Sequence, residues 1–145
     1  MTGRIKDKVA LITGGAFGMG AETARIFAAE GAKVAIVDIL DDEGPKRVQE
    51  IESAGGVARF WRLDVTDDAA WAAVTAEVVK AFGRIDILVN NAGVSGSKYE
   101  DPFDETGWRT LMSINVDGVF YGMKHVVPIM AENGGGSIVN LSSIS

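Results

Sequence analysis

Val9-Ala-Leu-Ile-Thr-Gly-Gly-Ala-Phe-Gly-Met-Gly20 is the stretch whose reading decides the fold. Its apolar opening, bounded by glycines, reads as a strand buried in a parallel sheet, and the run Ala21-Glu-Thr-Ala-Arg-Ile-Phe-Ala-Ala-Glu30 reads as a helix. A glycine loop between strand and helix is built for phosphate. The helix start offers unpaired backbone N–H groups and the positive end of a dipole, and residues without a Cβ let a pyrophosphate approach the main chain.

Outward from that stretch the chain alternates strand and helix. Strands are expected at Lys8–Thr13, Lys33–Asp38, Val57–Leu63, Asp86–Val89 and Ile138–Leu141. Helices are expected after Gly20, from Asp41 to Ala54, after an N-cap at Thr66, and from Glu105 to about Ala131. Gly31, the Gly55-Gly56 pair and Gly83 close the first three helices, and Gly134-Gly-Gly136 breaks the last. Such alternation implies crossover units, hence an α/β fold with a doubly wound parallel sheet. Ligands of such sheets bind beyond the carboxyl ends of the strands, so Asp38, Asp64, Asn90–Gly93 and the Ser142-Ser143 pair belong to one reading. Asp38 lies at the end of the second strand, where a carboxylate can bond the hydroxyls of an adenosine ribose and repel a 2'-phosphate. That favours NAD over NADP, and neither Phe17 nor Ile39 beside it is a cation that would offset the repulsion.

Composition limits the other readings. A content of 47% hydrophobic and 23% charged residues over 145 positions fits one globular domain, residues 1–145, with one sizeable core. A net charge of −6 and no basic run argue against a nucleic-acid or anionic-membrane surface. No cysteine is present, the amino terminus is polar, and no apolar run is long enough for a bilayer, so a cytoplasmic protein is expected. No His, Cys or carboxylate cluster has metal-ligand spacing; His125, the single histidine, reads as a packing or surface residue. Without a histidine partner, Ser142, Ser143 and Ser145 do not read as nucleophiles.

The motifs together resemble the short-chain dehydrogenases/reductases. Thr13-Gly14-x-x-x-Gly18-x-Gly20 is similar to that family's cofactor motif, Asp64-Val65 to its adenine-contacting pair, and Asn90-Asn91-Ala92-Gly93 to its Asn-Asn-Ala-Gly turn. Asn115 is similar to its helix asparagine and Ser143 to its catalytic serine. The resemblance implies a Rossmann-type sheet of order 3-2-1-4-5 and a hydride transfer between NAD and a secondary alcohol or ketone. It also implies cofactor contacts from Thr13, Gly14, Phe17, Gly18, Met19, Gly20, Asp38, Ile39, Asp64, Val65, Asn91, Ala92 and Gly93. Ser143 would orient the substrate oxygen, and Asn115 would hold a water in a proton relay. The long helix resembles the one by which family members pair, implying a dimer or tetramer.

One part of the pattern is not in these residues. The family's general acid/base is a tyrosine in Tyr-x-x-x-Lys beyond the serine, whereas Tyr99 and Tyr121 are followed four residues on by Phe103 and His125. Tyr121 with Lys124 precedes the fifth strand and reads as packing. A fifth strand at the sheet edge would expose apolar side chains and unpaired backbone groups, so more polypeptide is expected to cover it. The alternative reading is a catalytically inactive NAD(H)-binding module that needs a partner chain.

Overall fold

Every residue of β1 (Val9–Thr13) is buried, as a strand at the middle of a parallel sheet must be. In the computed structural model, which describes residues 3–96 and 100–143, it lies between β2 (Lys33–Asp38) and β4 (Ile87–Asn90). β3 (Val57–Arg62) pairs with β2 and β5 (Ser137–Asn140) with β4, giving one parallel sheet of order β3-β2-β1-β4-β5. The expected doubly wound sheet is the observed one.

Side chains alternate across β1 and sort the core into two layers. Val9 and Leu11 join Trp71, Val74 and Val78 of α3 (Asp68–Phe82) and Val126 and Met130 of α5 (Gly118–Glu132) on one face. Ile12 joins Ala24 and Ala28 of α1 (Gly18–Ala29) and Ile51 of α2 (Glu43–Ser53) on the other. Trp71 is fully buried, and its indole N–H donates to the Val65 carbonyl at 3.0 Å, so the largest core side chain leaves no polar atom unpaired.

Several boundaries differ from the sequence reading. The first helix begins at Gly18 and not after Gly20, because Ala21 N–H already donates to the Phe17 carbonyl at 3.2 Å. The N-cap of α3 is Asp67, whose Oδ1 accepts from Ala70 N–H at 3.0 Å. Thr66 instead donates its hydroxyl to Asp64 Oδ1 at 2.7 Å. The fourth strand starts at Ile87; Asp86, buried just before it, accepts from Val9 N–H at 2.9 Å and pins the start of β1. The long helix is α4 (Glu105–Met112) and α5 joined by a wide π turn, Ser113–Asp117, in which Gly118 N–H reaches the Ser113 carbonyl. Tyr99 and Ser145 lie outside the described residues.

β5 occupies the edge as expected. Among the described residues only β4 pairs with it, Val139 and Leu141 are exposed, and the side chains of Asn90 and Asn140 join the two strands at 2.9 Å.

Candidate functional site

A cleft of about 800 Å³ opens at the carboxyl ends of β1, β2, β3 and β4. Ten of the fifteen site residues read from the sequence form its wall: Gly14, Phe17, Met19, Asp38, Ile39, Asp64, Val65, Asn91, Ala92 and Gly93. The other five stand behind the wall or away from it, and each has an identifiable place.

Thr13 is buried beneath the cleft, where its hydroxyl oxygen accepts from Asn91 N–H at 3.0 Å and Ala92 N–H at 2.9 Å. The Asn91 side chain returns the tie, donating to the Thr13 and Gly14 carbonyls at 3.0 and 3.2 Å. These four bonds lock the turn after β4 onto the glycine loop after β1. Gly20 faces that lock: a Cβ there would stand 2.1 Å from the Gly14 carbonyl oxygen and 2.5 Å from Asn91 Nδ2. Gly18 is different in kind. It has φ +57°, and a Cβ on it would meet no atom within 4 Å, so the space over the helix start is open. No side chain caps α1, and no acid stands in its first turn. Open space above uncapped N–H groups fits an anion.

Asp38 carries the opposite wall. Its Oδ2 accepts from Ala16 N–H at 3.1 Å, and its Oδ1 from Ile39 and Leu40 N–H at 2.7 and 3.2 Å. Three of roughly four carboxylate lone-pair positions are thus taken by backbone, and the group is fixed in the loop that it would offer to a ribose. Phe17, Met19 and Ile39 project exposed apolar surface at the cleft, with Phe17 at 72% exposure.

Asn115 stands in the π turn, and its amide pairs with both backbone groups of Val94, Oδ1 accepting and Nδ2 donating, each at 2.9 Å. It therefore clamps the loop after β4 and presents Val94 to the cleft. Ser143 is exposed just beyond the end of β5. Tyr121 is packed against the Trp71 core layer, with Lys124 Nζ 5.8 Å over its ring, consistent with packing.

The structure adds wall residues that sequence reasoning missed: Leu63, Thr66, Val94, Arg109, Thr110, Ser113 and Ile114. Residues 109, 110, 113 and 114 share one face of the α4 end, and the polar members among its apolar positions were the signal available. Arg109 is the wall's one cation among the described residues and is paired with Glu105. His125 also has a specific partner, Asp68 Oδ1 at 2.6 Å, which joins α5 to the start of α3. Lys124 and His125, in that order of effect, hold the Asp68 carboxyl below its ordinary range. Among the described residues no three His, Cys, Asp or Glu side chains are grouped as metal ligands, and no helix is long and apolar enough to cross a membrane.

Comparison with known proteins gives the site a context. Residues 8–145 match the model of the family described as short chain dehydrogenase. The chain is 46% identical, over 144 residues, to 3-alpha-(or 20-beta)-hydroxysteroid dehydrogenase of Mycobacterium tuberculosis, covering 99% of this chain and 54% of that protein. It is 41% identical to the NADP-dependent (R)-specific alcohol dehydrogenase of Lentilactobacillus kefiri, covering 99% and 57%. A solved 7 alpha-hydroxysteroid dehydrogenase, complexed with NADH and 7-oxo glycochenodeoxycholic acid, superposes with a TM-score of 0.91 at 37% identity over 99% of this chain and 56% of its own. The chain thus spans about half the length of the curated relatives it matches. Sheet order, glycine loop, Asn-Asn-Ala-Gly turn and a family match over residues 8–145 agree, and the chain belongs to the short-chain dehydrogenase family.

Proposed function

We propose that residues 1–145 form the cofactor-binding domain of an NAD-dependent oxidoreductase acting on a secondary alcohol or ketone. The observation that carries this reading is the single cleft that joins an uncapped, glycine-opened helix start to the Asp38 carboxylate across the sheet edge. A dinucleotide needs both ends at once. Gly14, Gly18 and the first turn of α1, with Met19 and Gly20, would receive the pyrophosphate. Asp38 would take the adenosine ribose, Ile39, Asp64 and Val65 would flank the adenine, and Asn91, Ala92 and Gly93 would face the second ribose. Thr13 would act from below by holding that turn.

Relatives of both cofactor types occur, one described with NADH and one named NADP-dependent, so the choice rests on this chain's own residues. Asp38 and Asp64 give the cleft two carboxylates against the single Arg109, which disfavours a further phosphate dianion at the ribose end. When bound, the nicotinamide supplies the hydride acceptor or donor. Ser143 would hydrogen-bond the substrate oxygen. Asn115, its side chain committed to Val94, would serve the water relay only from a backbone held by the π turn. The reaction is proposed for the whole protein, since the relatives are nearly twice as long.

The stretch from α4 through the π turn to α5 exposes Trp108, Val116, Phe120 and Val127, which supports pairing with a second copy in a dimer or tetramer. A cytoplasmic location completes the reading. The second reading, an inactive NAD(H)-binding module, is supported by Tyr121 being packed in the core layer and not at the cleft.

Titration of the protein with NADH and NADPH, followed by fluorescence, tests the cofactor. NADH should bind more tightly than NADPH, and Asp38→Ala should weaken NADH by roughly 1–3 kcal/mol, the size of a lost bond to a charged group. Equal affinity of wild type and variant for NADH would overturn the assignment. Turnover of a secondary alcohol with NAD separates the enzyme from the inactive module.

A further inference from the structure

We infer that Arg62, held by Asp41, is a second determinant of cofactor choice at the ribose end of the cleft. The inference rests on the proposed NAD site and adds residues to it. Parallel pairing of β2 and β3 sets Arg62 directly opposite Asp38, at the same carboxyl edge. The Arg62 guanidinium does not extend freely into solvent. Its Nη1 donates to the Ile39 carbonyl and to Asp41 Oδ2, both at 2.7 Å. Leu63 N–H adds a third tie by donating to the Asp38 carbonyl at 3.0 Å.

Two consequences follow from that geometry. The first is mechanical: Asp38 bonds the Ile39 and Leu40 N–H groups while Arg62 bonds the Ile39 carbonyl, so the segment that presents Ile39 to the cleft is gripped from both strands. The second is electrostatic. A guanidinium at the ribose end is the group that would ordinarily welcome a 2'-phosphate, in the bidentate manner for which its planar fork is suited. Here Asp41 occupies it. Asp38, Asp41 and Arg62 together carry a net charge of −1, and the one cation among them is turned toward a carboxylate and a carbonyl. Asp41 is a positioning residue: it acts through Arg62 and keeps a phosphate-competent side chain out of use.

The test is a double-mutant cycle read as the ratio of NADPH to NADH affinity, with thermal melts to confirm folding. Both side chains are more than half exposed, so Asp41→Asn, Arg62→Gln and the double variant should fold. Loosening the wall alone would weaken both cofactors alike and leave the ratio unmoved. Asp41→Asn should raise the ratio about tenfold, because one negative charge is removed and the guanidinium is released. Adding Arg62→Gln should return the ratio to within about threefold of wild type. A ratio unmoved in Asp41→Asn, with NADH still bound, overturns the role of Asp41 and Arg62 while leaving the NAD site standing. A rise that persists in the double variant overturns it as well, since the guanidinium would then be irrelevant. Failure of the wild type to bind either cofactor overturns both readings.

Discussion

Replacing Thr13 by valine is the sharpest perturbation of this fold, because it keeps the shape of a buried β-branched side chain and removes one oxygen. That oxygen accepts from Asn91 N–H and Ala92 N–H at 3.0 and 2.9 Å and makes two of the four bonds between the end of β1 and the turn after β4. Thr13→Val takes this acceptor from both donors, but Asn91 N–H also reaches the Val89 carbonyl at 3.1 Å, so Ala92 N–H bears most of the loss. A buried donor left unpaired costs about 1–3 kcal/mol, and with one donor losing its partner a loss of that size is expected. For a domain of this size that corresponds to a fall in Tm of about 3–10 °C. Thr13→Ser is the control. It keeps the acceptor and deletes one buried methyl, worth roughly 1 kcal/mol. Circular-dichroism melts of the three proteins should rank wild type above Thr13→Ser above Thr13→Val. NADH affinity should fall in the same order, because the loosened turn carries Asn91, Ala92 and Gly93 on the cleft wall. If Thr13→Val melts at or above Thr13→Ser, the bond from hydroxyl to turn does not hold the site together, and the lock described above is wrong.

The other predictions concern separate parts of the molecule. Gly20→Ala should destabilise by about 1–3 kcal/mol, because the new methyl meets the Gly14 carbonyl and Asn91. Gly18→Ala meets no atom and should cost about 1–2 kcal/mol of left-handed strain while losing more NADH affinity than that strain explains; equal effects of the two on stability and binding would show that they do not differ in role. Asp68 ties α3 to α5 through Lys124 and His125, and its folded-state carboxyl is held below the ordinary value. The folded state therefore binds this proton more weakly than the unfolded chain. The contribution is fully present above about pH 4 and is lost as pH falls further, and Asp68→Asn should flatten that part of the acid limb in urea unfolding. Phe120→Glu, on the exposed stripe of α5, should convert a sedimenting dimer or tetramer to smaller species, and a wild type that already sediments as a monomer would end the pairing proposal.

Much of the fold was legible because its signals are local. An unbroken apolar run marks β1 as central, the repeated strand–glycine–helix rhythm forces crossovers, and handed crossovers leave few orders for five strands. Boundaries were less legible wherever two adjacent residues could do one job. Thr66 and Asp67 are both good caps, and the choice between them is made by Asp64, which takes the Thr66 hydroxyl. The π turn at Ser113–Asp117 was also unreadable, since it is a change of hydrogen-bond register that composition does not mark.

The site divides along a different line. Sequence spacing grouped the glycines, Asp38 and the Asn-Asn-Ala-Gly turn at one edge and gave the three glycines one role toward a pyrophosphate; the packing around them adds a distinction that spacing does not carry. Gly20 makes room for the protein's own Asn91, while Gly18 leaves room over the helix start. The side-chain partners explain why. Thr13 meets Asn91 across 78 positions of sequence, and Arg62 meets Ile39 across 23. In a parallel sheet, residues that share the carboxyl edge come from successive crossovers, so the neighbours that tune a strand-end carboxylate are register neighbours. A search for a cation beside Asp38 along the chain finds Ile39 and stops. The same search across β2 and β3 finds Arg62. Charge at the edge of a doubly wound sheet is therefore properly counted by register, and on that count the strand end beside Asp38 has a guanidinium restrained by Asp41 and not an absence of positive charge.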